Sequence, residues 1–316
     1  MEASTLLWFL YVSLASCLLY KLFLSTMTSS GLARRPPGPA HLPLLGNILD
    51  LHGELHHALA RLAETHGPVM SLRLGATDAV VATSATAARD VLQRYDHVLA
   101  ARSVTDAGRA QGHHELSVIW LPSTSPLWKR LRAVGTSHLF SARGLDATRA
   151  AREGKARELV ACLGRHAGEA VDVGRVVFSC VLNVVSNALF SEDVADLSSD
   201  RAQELEMLVR DTVEEACKPN LSDLFPVLAK LDLQGRRRRS AKLIGRFYDF
   251  FDDIIARRRS NAGGGGGEKG GFLDVLLQLL SEDQLSLQTI KSFLLVRSLC
   301  PFFCLLVYKV WSPPSN

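Results

Sequence analysis

Cysteine is sparse in this chain and never regularly spaced. The six cysteines, Cys17, Cys162, Cys180, Cys217, Cys300 and Cys304, are scattered without paired spacing, which argues against a disulfide scaffold. They read as reduced structural thiols on a cytosolic face. No His-Glu-x-x-His or Cys-x-x-Cys occurs. The adjacent pairs His56–His57 and His113–His114 do not chelate one ion, because neighbours on a helix point about 100° apart; they read as surface histidines. Without a Gly-x-Ser-x-Gly elbow there is no support for a serine hydrolase. The glycine run at Gly263 to Gly267 has no preceding strand and no following Gly-Lys-Ser/Thr, so it reads as a flexible surface loop and not a phosphate cradle.

An excess of charge of either sign is also lacking. A formal net charge of +4 gives little reason to expect a nucleic-acid partner. The basic runs Arg236 to Arg239 and Arg257 to Arg259 bracket one helix, and no aromatic residues interleave with them. Four cations at a helix start oppose its dipole, so these arginines are expected to face water or anionic lipid headgroups.

What the sequence does have is apolar material: 47% of 316 residues, enough for a sizeable core. Ala3 to Tyr20 contains no charge and as a helix measures roughly 27 Å, just enough to cross a bilayer core. With Lys21 snorkelling, the span extends to Leu24, giving an anchor over 3–24. Only Glu2 precedes it, while Lys21, Arg34 and Arg35 follow, which favours an uncleaved anchor over a signal peptide. The same asymmetry puts the amino terminus in the lumen and the body in the cytosol. Asn220-Leu221-Ser222 is a glycosylation acceptor that reports on this topology, because it is usable only in the lumen.

Residues 25–47 read as a linker whose Pro36, Pro37 and Pro39 stiffen it into a spacer. Leu55, Ala58, Leu59 and Leu62 then make a helical stripe. Two short strands follow around a Gly-Ala-Thr-Asp turn, with Met70, Leu72 and Leu74 alternating against Ser71 and Arg73. Ser84 is an N-cap for the next helix, and Val98 to Ser125 has no clear period and reads as an irregular loop. Beyond Pro126 helical stripes dominate: Leu205, Leu208, Val209, Thr212 and Val213; Leu243, Ile244, Phe247, Phe251, Ile254 and Ile255; Phe272, Val275, Leu276, Leu279 and Leu280. A last amphipathic helix opens at Ser286 with Leu287, Ile290 and Leu294 on one face. After Leu295 the period is lost and Pro301 interrupts. These patterns predict a mostly α fold (α+β) with a small sheet.

The ordered series of anchor, Pro-Pro-Gly-Pro hinge running into "LPLLGN", helix with two strands, and "PLWKRLR" at Pro126 to Arg132 resembles the amino-terminal half of a microsomal cytochrome P-450, a haem-thiolate monooxygenase. "NVVSNALFS", "FPVLAKLDLQGRRRR" and "DQLSLQTIKSFLL" are similar to the plant members that oxidise monoterpenols, the geraniol hydroxylase group. The likeness covers Met1 to Leu295, so 48–295 is expected to be a partial domain of that fold and 296–316 an aberrant tail. The resemblance implies haem, electrons from NADPH through a reductase partner, a small apolar substrate, and a single-pass location in the endoplasmic reticulum membrane. It also implies that Trp128 and Arg132, the family's Trp-x-x-x-Arg, hydrogen-bond a haem propionate; at i and i+4 they share one helix face.

The family's Phe-x-x-Gly-x-Arg-x-Cys-x-Gly ligand loop, its Glu-x-x-Arg helix and its oxygen-activating bend do not occur here. Cys300 and Cys304 lack the glycines and arginine of that loop, so no catalytic or metal-ligating residue is assigned. The expectation is a chain that is inactive by itself and short-lived, with the apolar faces from Leu205 to Leu295 left open. The alternative is a non-catalytic, membrane-anchored helical fragment that binds partners or anionic lipid.

Overall fold

A computed structural model describes residues 2–27, 35–194, 200–263 and 271–311. In chain order its helices are α1 (Glu2–Met27), α2 (Leu55–His66), α3 (Ala85–Arg89), α4 (Asp96–Leu99), α5 (His113–Leu116), α6 (Pro126–His138), α7 (Ala142–Ala147), α8 (Arg149–Arg165), α9 (Val173–Phe190), α10 (Asp200–Cys217), α11 (Leu221–Leu224), α12 (Arg236–Gly263), α13 (Phe272–Ser281) and α14 (Leu287–Trp311). Strands β1 (Val69–Leu74) and β2 (Thr77–Ala82) form an antiparallel pair. The fold is mostly helical with a small two-stranded sheet, as the sequence patterns predict. Two compact units divide the chain: Met1–Ala100 with Asn220–Leu233, and the remainder.

In the first unit, α1 runs unbroken for 26 residues, about 39 Å at 1.5 Å per residue. Its stretch from Trp8 to Tyr20 is an apolar helix with an exposed surface. The β hairpin pairs Val69 with Ala82 and Leu74 with Thr77, leaving Gly75 and Ala76 as a two-residue turn. Met70 and Leu72 are buried, as the alternation requires, and Ser84 Oγ accepts the Ala87 N–H to cap α3.

The proline-rich stretch is more than a spacer. The Ser71 N–H donates to the Pro37 carbonyl at 2.9 Å and the Ser71 hydroxyl to the Pro36 carbonyl at 2.8 Å. Buried Asn47 holds the far end, its Oδ1 accepting the Arg73 N–H at 2.9 Å. Gly38 allows this approach, since a Cβ there would fall 2.0 Å from the Ser71 carbonyl oxygen. Between Val98 and Ser125 the irregular reading holds in part: a 3-10 segment at Ala107–Gly112 is broken by non-helical backbone at Ala110 and Gln111, and α5 follows. Short turns of this kind carry no readable period.

The second unit is built around α14. Every residue from Thr289 to Val296 is buried, as are Ser298 and Leu299, so this stretch of the helix is enclosed on all sides and not along one apolar stripe. α9, α10 and α12 pack against it. Phe247 and Phe251 stack at 6.0 Å, and Phe190 meets Phe251 at the same distance. The faces from Leu205 onward that were expected to lie open are closed: Val209, Val213, Phe251, Leu276, Ile290 and Leu294 are each within 1% of complete burial. The expected break at Pro301 is also absent from the backbone, which stays helical to Trp311. One proline removes a single i to i−4 bond, a loss that flanking turns can absorb.

Two other expectations are corrected here. Arg236 does not face water or lipid. Its side chain is 11% exposed and donates to Glu215, 5% exposed, at 3.1 Å, while Arg237 pairs with buried Asp106 at 3.3 Å. The buried carboxylates on neighbouring segments outweigh the unfavourable dipole. His113 is not a surface histidine either: it is 7% exposed and lies among α5, α12 and α14. The glycine run beyond Gly263 lies outside the described residues.

Candidate functional site

Pro126 at the first turn sets the start of α6 after Ser125, a position where its missing N–H costs nothing. Leu131 and Gly135 turn inward and are buried. Trp128 is half-buried and Arg132 is exposed, and the Arg132 guanidinium carbon stands 5.6 Å from the Trp128 ring centroid. The structure therefore brings the two predicted site residues together, one turn apart, on an open side of α6. Among the described residues Arg132 makes no ion pair. An indole N–H and a guanidinium side by side are donors without an internal acceptor, which suits a carboxylate. In chemical terms the donor set fits the propionate edge of a haem.

Within the second unit, contacts from Arg130 and Gly135 fix α6 to α14 and the segment just before it. Arg130 Nη1 donates to the Gln284 carbonyl at 2.7 Å, just ahead of α14. Gly135 faces α14 directly, with Phe293 and Arg297 as its nearest side-chain neighbours. Arg297 lies between Phe140 and Phe293, 5.0 Å from each ring. Sequence reading assigned Arg297 to a tail and gave it no part; Phe140 and Phe293 carry no motif, so only the packing of α6 on α14 exposes the cluster.

A second polar group was also invisible in the sequence. His113 Nδ1 lies 3.2 Å from the Tyr248 hydroxyl and 3.1 Å from Ser292 Oγ. Burial, and secondarily the neighbouring charge of His114, pushes the His113 pKa down to about 4. Burial pushes the Tyr248 hydroxyl up to about 12, against a smaller opposing hydrogen bond from Ser292. Nearby, a void of about 10 Å³ is lined by Leu182, Phe190, Leu205, Phe247 and Phe251 among others. It is apolar and holds at most one small guest. The side chains of Cys300 and Cys304 lie outside the described residues.

A helical body with one small hairpin and a Trp-x-x-x-Arg pair on an open helix face defines the class: the chain belongs to the cytochrome P-450 family, whose model matches residues 36–296. It is 49% identical to cytochrome P-450 76M5 of Oryza sativa subsp. japonica over 89% of this chain and 57% of that protein. Oryzalexin E synthase of the same plant is 44% identical over 84% of this chain and 53% of its own length. Geraniol 8-hydroxylase of Catharanthus roseus is 41% identical over 84% and 55%, respectively. The chain thus spans about half the length of the curated relatives it matches.

Proposed function

We propose that this chain carries the amino-terminal portion of a membrane-bound, haem-dependent monooxygenase that hydroxylates small apolar terpenoids such as monoterpenols. The observation that carries the reading is the Trp128–Arg132 stack on the open side of α6, inside the segment that matches the family. Haem, when bound, supplies oxygen activation with electrons from NADPH through a reductase. Arg132 and the Trp128 indole would hold one of its propionates by charge-assisted hydrogen bonds of about 1.5–3 kcal/mol each. The family's cysteine ligand loop is not among these 316 residues, and propionate contacts alone fall well short of retaining a macrocycle without its axial bond. The exposed apolar stretch of α1 supports a single-pass anchor, and the charges that follow it, Lys21, Arg34 and Arg35, support a cytosolic body on the endoplasmic reticulum membrane.

Spectroscopy tests this directly. The 316 residues expressed alone are expected to purify without haem and to show no thiolate-type band in the reduced carbon monoxide spectrum. A chimera joining Met1 to Leu295 to the carboxyl half of a geraniol 8-hydroxylase is expected to show that band. In the chimera Arg132→Leu lowers haem retention and Arg238→Leu does not; equal behaviour of the two overturns the role of Arg132. The closed core around α14 favours a second reading, a non-catalytic anchored helical body that binds partners or anionic lipid. Haem content discriminates the two: a chimera that takes up no haem would favour the second reading.

A further inference from the structure

The sequence Arg-Arg-Arg-Ser occurs at both ends of α12, at Arg237 to Ser240 and at Arg257 to Ser260. An arginine three residues before a hydroxyl is a charge pattern that arginine-directed protein kinases read through acidic subsites, with the acceptor held in extended form. As sequence the two copies are equivalent, and the fold separates them. Arg237 pairs with Asp106, whose side chain is 3% exposed, and Ser240 is half-buried at the fifth position of the helix, one turn before buried Ile244. Unwinding that end would pull core side chains out of place. At the other end Ser260 is exposed, three residues before the helix closes at Gly263. Arg257 and Arg259 are exposed as well. Arg257 meets Glu192 at 2.9 Å, with side chains 45% and 41% exposed, a surface pair that a kinase carboxylate replaces at little cost. Ser260 Oγ donates to the Arg257 carbonyl at 2.8 Å, drawing on an acceptor of the helical ladder. Five consecutive glycines, poor helix formers, begin at Gly263, so the last turn opens cheaply.

We propose that Ser260 is a phosphorylation site for an arginine-directed protein kinase, and that the same motif at Ser240 is closed by the fold. In the transfer the Ser260 oxygen forms a bond to the γ-phosphorus of magnesium-bound ATP, the bond from that phosphorus to the bridging oxygen of ADP breaks, and the hydroxyl proton passes to the base of the kinase. The phosphate adds a charge of about −1.5 to −2. At the last turn this charge opposes the helix dipole, but Arg257 lies one turn back on the same face and exchanges Glu192 for the stronger acceptor. Modification therefore unties α12 from the residues that follow α9. In the cell the site requires the cytosolic orientation proposed above; in a purified chain it does not.

The test incubates the full chain in detergent with radiolabelled ATP and calmodulin-dependent protein kinase, which reads an arginine three residues before its acceptor. Label is expected at Ser260, lost in Ser260→Ala and kept in Ser240→Ala. Arg257→Gln, whose side chain is exposed and leaves the fold intact by circular dichroism, is expected to lower kcat/KM for labelling about tenfold. Heat-unfolded chain isolates the part played by the fold: there both serines are expected to take label at similar rates. Labelling of the folded chain at Ser240 as readily as at Ser260 overturns the proposal, as does label that persists in Ser260→Ala. Absence of label at Ser260 in the folded chain overturns it too, whether or not the unfolded chain takes label there.

Discussion

His113 Nδ1 sits 3.1 Å from Ser292 Oγ, a bond between residues 179 positions apart that ties α5 to the buried stretch of α14. Both side chains are buried, and the neighbouring His114 adds to the cost of a protonated imidazole; Lys291, whose Nζ lies 5.7 Å from the Tyr248 ring, is itself a cation and pairs with Asp252.

This pair predicts acid sensitivity. The folded His113 pKa of about 4 lies below its ordinary 6.5, so between those values the unfolded chain binds a proton that the folded chain does not. Stability is complete above pH 6.5 and falls as pH drops toward 4, by roughly 3 kcal/mol in all. Urea unfolding of the full chain at pH 7.5 and pH 5 measures the loss. His113→Gln should flatten that dependence, and an unchanged slope in the variant would show that other groups carry it.

Glu215 is expected to be the most sensitive acidic residue. It is 5% exposed and accepts from Arg236, itself 11% exposed. Removing it leaves a cation buried without its partner, and Glu215→Ala should cost about 3–5 kcal/mol. Arg239 also approaches Glu215, at 3.5 Å, but is 57% exposed; Arg239→Ala should cost under about 1 kcal/mol. Thermal denaturation of the two variants decides the matter, and comparable losses would contradict the ranking.

Gly38 should tolerate no side chain. A Cβ 2.0 Å from a backbone oxygen cannot be relieved by a rotamer change, so Gly38→Ala must lift the proline-rich stretch off β1. We expect faster hydrogen exchange at the Ser71 amide, whose acceptor is the Pro37 carbonyl. Unchanged protection at Ser71 would mean that the stretch does not depend on this contact.

Membrane topology needs a different reporter from the one the sequence offers. Asn220 is 6% exposed, and its Oδ1 accepts the Ser222 N–H to cap α11, so a protease readout is added that does not depend on access to this buried side chain. Protease added to sealed microsomes should digest the body and spare the amino-terminal helix. Full protection of the body would reverse the proposed orientation.

Much of the local structure was legible because it depends on neighbours in sequence. The hairpin around Gly75, the Ser84 cap, the stripes on α10, α12 and α13, and the shared face of Trp128 and Arg132 follow from periods of two and 3.6 residues and from capping chemistry. Charge runs misled for the opposite reason. The sequence shows Arg236 beside three other arginines but not Glu215 across a helix–helix contact, and adjacent His113 and His114 look alike until α14 covers only the first.

By itself the sequence determined an apolar amino-terminal helix, a mostly helical body with one small hairpin, the family likeness, and the Trp128–Arg132 spacing. These are properties of short windows, where residue type and period act directly on the backbone. Only the tertiary structure decided that Thr289 to Val296 of α14 are buried on every side, that Pro36 to Asn47 lies on β1, and that Gly135 admits Arg297 against α6. Each depends on side chains more than twenty positions apart filling the same space, and close packing, not local propensity, selects which of them meet.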